Sequence, residues 1–200
     1  HERGGWRYEP GEPGDTTVTG WQLMALKSGT LAGLEVPQSA IYRVTYFLDG
    51  VSNRKGALAG ALYGYQDNES RVATTAIGLY CRMLASWNRL HPKLAKGVSY
   101  LADLGPSETD MYFNYYATMV LHHFDGSSWP IWNRKLRDRL IADQAHEGHE
   151  AGSWYYPHQH SEAGGRLYNT CMALMTLEVY YRYMPLYQQS PSVAFRQPAP

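Results

Sequence analysis

Gly60-Ala61-Leu62-Tyr63-Gly64-Tyr65, leading to Thr75-Ala76-Ile77-Gly78-Leu79, is the stretch from which the fold can be read. A turn rich in glycine and aromatic residues runs into a segment where Val72, Ile77, Leu79, Tyr80, Cys81, Met83 and Leu84 leave almost no polar face. A helix that is apolar nearly all round needs neighbours on every side, so this one belongs to an inner layer. Related phrasing occurs three more times. Gly5-Trp6-Arg7-Tyr8 precedes Thr19-Gly20-Trp21-Gln22-Leu23, Asp110-Met111-Tyr112 precedes Tyr116-Ala117-Thr118-Met119-Val120, and Gly152-Ser153-Trp154-Tyr155-Tyr156 precedes Thr170-Cys171-Met172-Ala173-Leu174. Each unit is long enough for one inner helix, one outer helix and two loops. Gly, Ala or Cys in the first turns lets inner helices approach closely, and the turn folds a ring back over the end of the layer.

Working outward, hydrophobic period predicts about seven helices, near 16–29, 38–49, 70–87, 92–104, 108–123, 130–145 and 166–184. The last of these, with Leu167, Met172, Leu174, Met175, Leu177 and Val179, also reads as apolar nearly all round. By contrast, 92–104 sets Leu94, Val98 and Leu101 against Lys93 and Lys96, and 130–145 sets Leu136, Leu140 and Ile141 against five charged residues from Arg134 to Arg139. Those helices have a solvent face. Alternation of inner with outer helices describes hairpins laid side by side, so the expected fold is all-α, a partial α/α toroid over residues 1–187. The segment 188–200 loses its apolar period, carries Pro191, Pro198 and Pro200, and reads as a Pro-rich tail. A closed toroid of about six hairpins would need well over 200 residues, and the first residue is not Met; the chain is expected to be a piece of a longer protein.

Charge narrows the partners. Lys plus Arg and Asp plus Glu both number 18, so there is no basic footprint for nucleic acid or an anionic membrane surface. No stretch has the ~18 uninterrupted apolar residues of a membrane span. The only two cysteines, Cys81 and Cys171, stand far apart in apolar helical runs, which suits small buried hydrophobes better than a disulfide or a thiolate zinc site.

Gly4-Gly5-Trp6-Arg7-Tyr8 with Asp15-Thr16-Thr17-Val18-Thr19-Gly20-Trp21, Asp110-Met111-Tyr112-Phe113-Asn114-Tyr115-Tyr116, and Gly164-Gly165-Arg166-Leu167-Tyr168-Asn169-Thr170 resemble the prenyltransferase and squalene-oxidase repeat proteins of planctomycete-type bacteria. The resemblance reaches nearly to Tyr187. It implies the toroid shared by squalene and hopene cyclases, protein prenyltransferase β subunits and thioester domains. The catalytic motifs of those relatives are missing. There is no Asp-x-Asp-Asp run to protonate an alkene, Tyr112 stands where the Asp-x-Cys zinc pair of prenyltransferases has its thiolate, and neither cysteine sits in Gly-Cys-Gly-Glu-Gln.

The candidate ligand-binding residues are therefore the turn and inner-helix aromatics together with two helix-opening carboxylates: Trp6, Tyr8, Asp15, Tyr63, Tyr65, Asp110, Tyr112, Trp154, Tyr155 and Tyr168. Such rings can offer π faces to a cation or stack on a flat ligand. Asp15, Asp67 and Asp110 precede inner helices, where N-capping is their simplest role, and they would gather at one rim. His146, His149, His158 and His160 lie in a stretch dense in His and Glu that could supply zinc ligands, though the spacing is not that of a helical His-Glu-x-x-His site and a solvated loop explains it as well. His122-His123 ends a helix, where a cation complements the dipole at the surface. No cofactor is expected apart from that possible zinc. The expected function is a non-catalytic module binding a small hydrophobic ligand or a protein. The alternatives are an isoprenoid cyclase- or transferase-like enzyme domain, and a metal-dependent hydrolase or polysaccharide-active α/α barrel.

Overall fold

Asp15 starts the first helix by accepting from the Val18 N–H at 2.8 Å and from the Thr17 hydroxyl, so a donor that the helix cannot satisfy itself is met by a side chain. In the computed structural model, which describes residues 1, 3–85 and 87–182, seven α-helices follow in order. They are α1 (Thr16–Leu31), α2 (Gln38–Val51), α3 (Val72–Ala85), α4 (Pro92–Leu104), α5 (Met111–Phe124), α6 (Ser128–Asp143) and α7 (Gln159–Arg182). The described residues form no strands, only isolated bridges at Trp6–Asp15 and Ser52–Tyr63. The chain is all-α. None of its described helices is long and apolar enough to cross a membrane. The expected tail, 188–200, lies outside the described residues, as does the expected end of the last helix.

The odd-numbered helices pack successively, α1 on α3, α3 on α5 and α5 on α7; α2 lies against α1 and α3, α4 against α3 and α5, and α6 against α5 and α4. The sequence pattern accounts for this. Every residue of α3 from Thr74 to Ala85 is buried, and so is every residue of α5 from Phe113 to His123. In α4 only Leu94, Gly97, Val98 and Leu101 are buried, which leaves Lys93 and Lys96 to water.

Glycines set the spacing. A methyl group on Gly78 would be driven into the Tyr63 ring, one on Gly20 would stand 2.6 Å from Ile77 Cγ2, and one on Gly97 would stand 2.6 Å from Leu79 Cδ2. Tyr63 is thereby clamped over α3. Its N–H donates to Thr75 Oγ1 at 3.0 Å, and its hydroxyl accepts from Arg82 Nε at 3.1 Å. Burial pushes that phenol up to about 12. Arg82, 3% exposed, also pairs with Asp49 of α2 and covers the Trp87 ring at 4.8 Å. A buried charge tolerates this only when paired and hydrogen-bonded, as it is here.

Five details depart from the sequence reading. His122 and His123 are in the core, not at the surface: His122 meets Trp129 edge-on, and His123 stacks on Tyr80 at 5.6 Å. Asp67 caps no helix; it accepts from the Glu69 N–H inside the preceding turn. Cys171 and Ile141 are exposed, because each falls on the open side of its helix. The fifth is α7, where a short helical stretch from Gln159 ends at Gly165, whose φ of 62° and ψ of −158° no helix contains, and the helix expected from 166 follows it. Its Leu167 and Leu174 are exposed, so it is not surrounded as α3 and α5 are.

Two measurements check this packing. Gly78→Ala should lower the unfolding free energy by about 2–3 kcal/mol in urea titration, because the Tyr63 ring, fixed at both ends, has nowhere to move. Burial, and then the neighbouring His122, push His123 down to about 3. The unfolded chain therefore binds one proton more between pH ~6.5 and ~3, so this contribution is complete above ~6.5 and is lost as the pH falls. Between pH 7 and 5 the wild type should lose ~2 kcal/mol more stability than His123→Phe, which keeps the ring on Tyr80.

Candidate functional site

The first turns of α1, α5 and α7 bring together residues that are far apart in sequence. Asp110 opens α5 as Asp15 opens α1, accepting from the Phe113 N–H at 2.9 Å. An aromatic residue projects near the start of each helix, the sixth residue of α1 and the second of α5, and the two meet: Trp21 Nε1 donates to the Tyr112 hydroxyl at 2.8 Å, across 91 residues of sequence. This side-chain contact joins α1 to α5, which otherwise pack on α3 from either side. Trp21 stacks on Tyr115 at 6.2 Å and stands edge-on to Tyr116 at 5.8 Å. Tyr112 continues the series to His160 at 5.8 Å, and His160 in turn lies 6.3 Å from Tyr168 and 5.1 Å from His158. His158 Nε2 stands 4.0 Å from Asp110 Oδ2.

Part of this cluster is withdrawn from water, while Trp21 and His160 are exposed. Burial raises the Tyr112 phenol, and Asp15 adds to the effect. Burial also raises Tyr168, followed by the negative fields of Asp110 and Tyr112. The Tyr168 hydroxyl is enclosed with no hydrogen-bond partner. Asp15 is wholly buried; its Oδ2 faces Arg7 Nη1 at 4.0 Å, and neither atom has a hydrogen-bond partner. Tyr65 faces the same carboxylate, and its phenol is raised by burial and then by Asp15. Enclosed, under-satisfied oxygens beside ring faces are what a ligand with both apolar and hydrogen-bonding parts can use.

Asp110, Tyr112 and Tyr168 thus lie in one cluster with His158 and His160, while Asp15 and Tyr65 face each other beside Arg7, close enough for Asp15 to act on the Tyr112 phenol. Tyr8, 75% exposed, stands near Tyr112 with the Arg7 guanidinium over its ring. Three other candidates serve the scaffold. Tyr63 and Trp154 are in the core, and the Trp6 N–H donates to Thr19 Oγ1 at 3.0 Å. Tyr155 is exposed with Arg166 over its ring. The histidines divide. His158 and His160 belong to the cluster, whereas His146 and His149 are exposed and His149 lies beside Glu150. Among the described residues no three His, Cys, Asp or Glu side chains are grouped as metal ligands would be. Trp21 stands in the sequence only as part of the repeated Thr19-Gly20-Trp21 motif; its place between Tyr112 and Tyr115 depends on a contact across 91 residues that no local pattern encodes.

Asp15 and Asp110 differ in what else they hold. Asp15→Ala removes the cap, the Thr17 contact and the carboxylate facing Arg7 and Tyr65, and should cost about 2–3 kcal/mol in chemical denaturation. Asp110→Ala, a half-buried cap, should cost about 1 kcal/mol. No family model matches the chain, and no curated protein or solved structure matches it.

Proposed function

We propose that the chain is part of an α/α toroid of the prenyltransferase and squalene-oxidase repeat type, and that it binds a small hydrophobic ligand without transforming it. The observation that carries the reading is the bond from Trp21 to Tyr112, which joins the openings of α1 and α5 into one aromatic wall ending at His160 and Tyr168. The rings supply faces for an apolar body, while the Tyr168 hydroxyl and the Asp110–His158 pair supply hydrogen bonds for a polar end. The packing order supports the toroid, with odd helices adjoining one another and even helices seated against them. The repeat has support in one recurrent contact: the turn aromatics Trp6, Tyr63 and Trp154 each donate their N–H to a threonine of the following helix, Thr19, Thr75 and Thr170. The absence of an Asp-x-Asp-Asp run and of the Asp-x-Cys thiolate favours binding over isoprenoid chemistry.

Farnesol is a suitable probe, followed by tryptophan fluorescence. Saturable quenching is expected, with affinity at least tenfold weaker in Trp21→Phe and Tyr112→Ala and unchanged in His149→Ala, and with the alcohol recovered intact. Lack of saturable quenching contradicts the proposed site, and consumption of farnesol or farnesyl diphosphate contradicts its non-catalytic character.

A further inference from the structure

At the end of the aromatic wall stand two polar groups whose hydrogen-bonding directions are fixed. Asp110 uses Oδ1 to cap α5, accepting from the Phe113 N–H at 2.9 Å, and turns Oδ2 toward His158 Nε2, 4.0 Å away. His158 opens the short helical stretch that ends at Gly165: its carbonyl accepts from the Ser161 N–H at 2.8 Å, and its Nδ1 accepts from the His160 N–H at 3.5 Å. Ser161 is buried and its hydroxyl meets Asn169 Oδ1, which ties that stretch to the rest of α7. A neutral imidazole that accepts at Nδ1 carries its proton on Nε2. The gap therefore has a donor on one side and a carboxylate acceptor on the other. At 4.0 Å the two do not bond directly. Their side chains, 22% and 23% exposed, are reachable without being open to bulk water.

On the reading of the helix openings as a ligand site, we propose that the ligand is an alcohol, its hydroxyl bridging His158 and Asp110 while its hydrocarbon body lies on Trp21 and Tyr112. An oxygen about 2.8 Å from both atoms makes an angle of about 90° between them, so it can accept from Nε2–H and donate to Oδ2. Its second lone pair faces a further donor. The Tyr168 hydroxyl is enclosed without a hydrogen-bond partner, feels the charge of Asp110, and belongs to a ring 6.3 Å from His160. One proton and two lone pairs are the whole capacity of an alcohol oxygen, and this corner can engage all three. Other head groups leave something unmet. An ether has no proton for Oδ2, an ammonium has no lone pair for Nε2–H, and a carboxylate or phosphate sets its charge against that of Asp110.

The test compares farnesol, its methyl ether and farnesylamine, three head groups on one chain, by tryptophan fluorescence of the whole chain. The wild type should bind farnesol at least tenfold more tightly than either of the others. Asp110→Asn keeps the cap, because asparagine caps as well as aspartate, but puts an amide N–H where Oδ2 accepted. With unchanged circular dichroism, its preference for farnesol over the ether should fall to within about twofold. Equal wild-type affinity for farnesol and the ether overturns the alcohol and leaves the gap to water. A preference that survives Asp110→Asn overturns it too, as does an amine that binds more tightly than farnesol. If none of the three binds, the ligand site fails and the alcohol with it; if all three bind alike, the site stands and only the choice of head group falls.

Discussion

The contact between Tyr63 and Gly78 sets the distance on which the other packing depends. A ring laid flat over a glycine brings the turn before α3 down onto the helix itself, and the threonine and arginine on either side hold it by both its N–H and its hydroxyl. Because Tyr63 is fixed there, Gly64 and Tyr65 are fixed too, and their carbonyls accept from the Thr16 hydroxyl and N–H at the start of α1. One aromatic turn thus aligns two neighbouring helices. The same economy recurs at Gly20, where α1 meets Ile77 of α3, and at Gly97, where α4 receives Leu79. Side chains larger than hydrogen at these points would push the helices apart by an ångström or more, and the Trp21–Tyr112 bond spans a gap too long to survive that.

Close approach also explains the polar residues of the core. When backbones come this near, threonine hydroxyls can reach turn N–H groups directly, and Thr19, Thr75 and Thr170 do so at 3.0–3.2 Å. Each replaces a water that the turn would otherwise need. Arg82 performs the equivalent service at longer range, joining the Asp49 carboxylate of α2 to the Tyr63 phenol and donating to the Thr45 carbonyl. Its guanidinium is planar and its five donors are fixed in direction, so it can be both hydrogen-bonded in its plane and stacked on Trp87.

Much of this was legible in the sequence, for a physical reason. Helix existence depends on local period, and α3 and α4 declare their environments through the presence or absence of a charged face. Caps are local as well, so Asp15 and Asp110 could be placed. Asp67 misled because the chain makes a tight turn after Gly64, and a carboxylate in such a turn finds the Glu69 N–H before it finds a helix. His122 and His123 misled for the opposite reason. A histidine pair at a helix end suits water and the dipole equally, and only the enclosure of α5 from Phe113 to His123 decides against the surface. Arg82 gave no signal, since its partner Asp49 is 33 residues away.

The aromatic residues of the turns and inner helices are of two kinds, and the partners of their polar atoms separate them. Tyr63 and Trp154 have their polar atoms satisfied by the scaffold: the Tyr63 hydroxyl meets Arg82, and the Trp154 indole donates to the Leu140 carbonyl at 2.6 Å. They are structural, and the recurrence of the turns explains their number. Trp21, Tyr112 and Tyr168 are different, since they meet one another or lack partners, at the one place where three helix openings converge. An enclosed phenol without a protein partner costs about 1–3 kcal/mol, which a hydrogen bond from a bound molecule, water or ligand, offsets. For this reason the helix openings, and not the groove of about 570 Å³ between α6 and α7, are the candidate for a ligand. That groove is lined by side chains such as Trp132, whose indole already donates to Thr118.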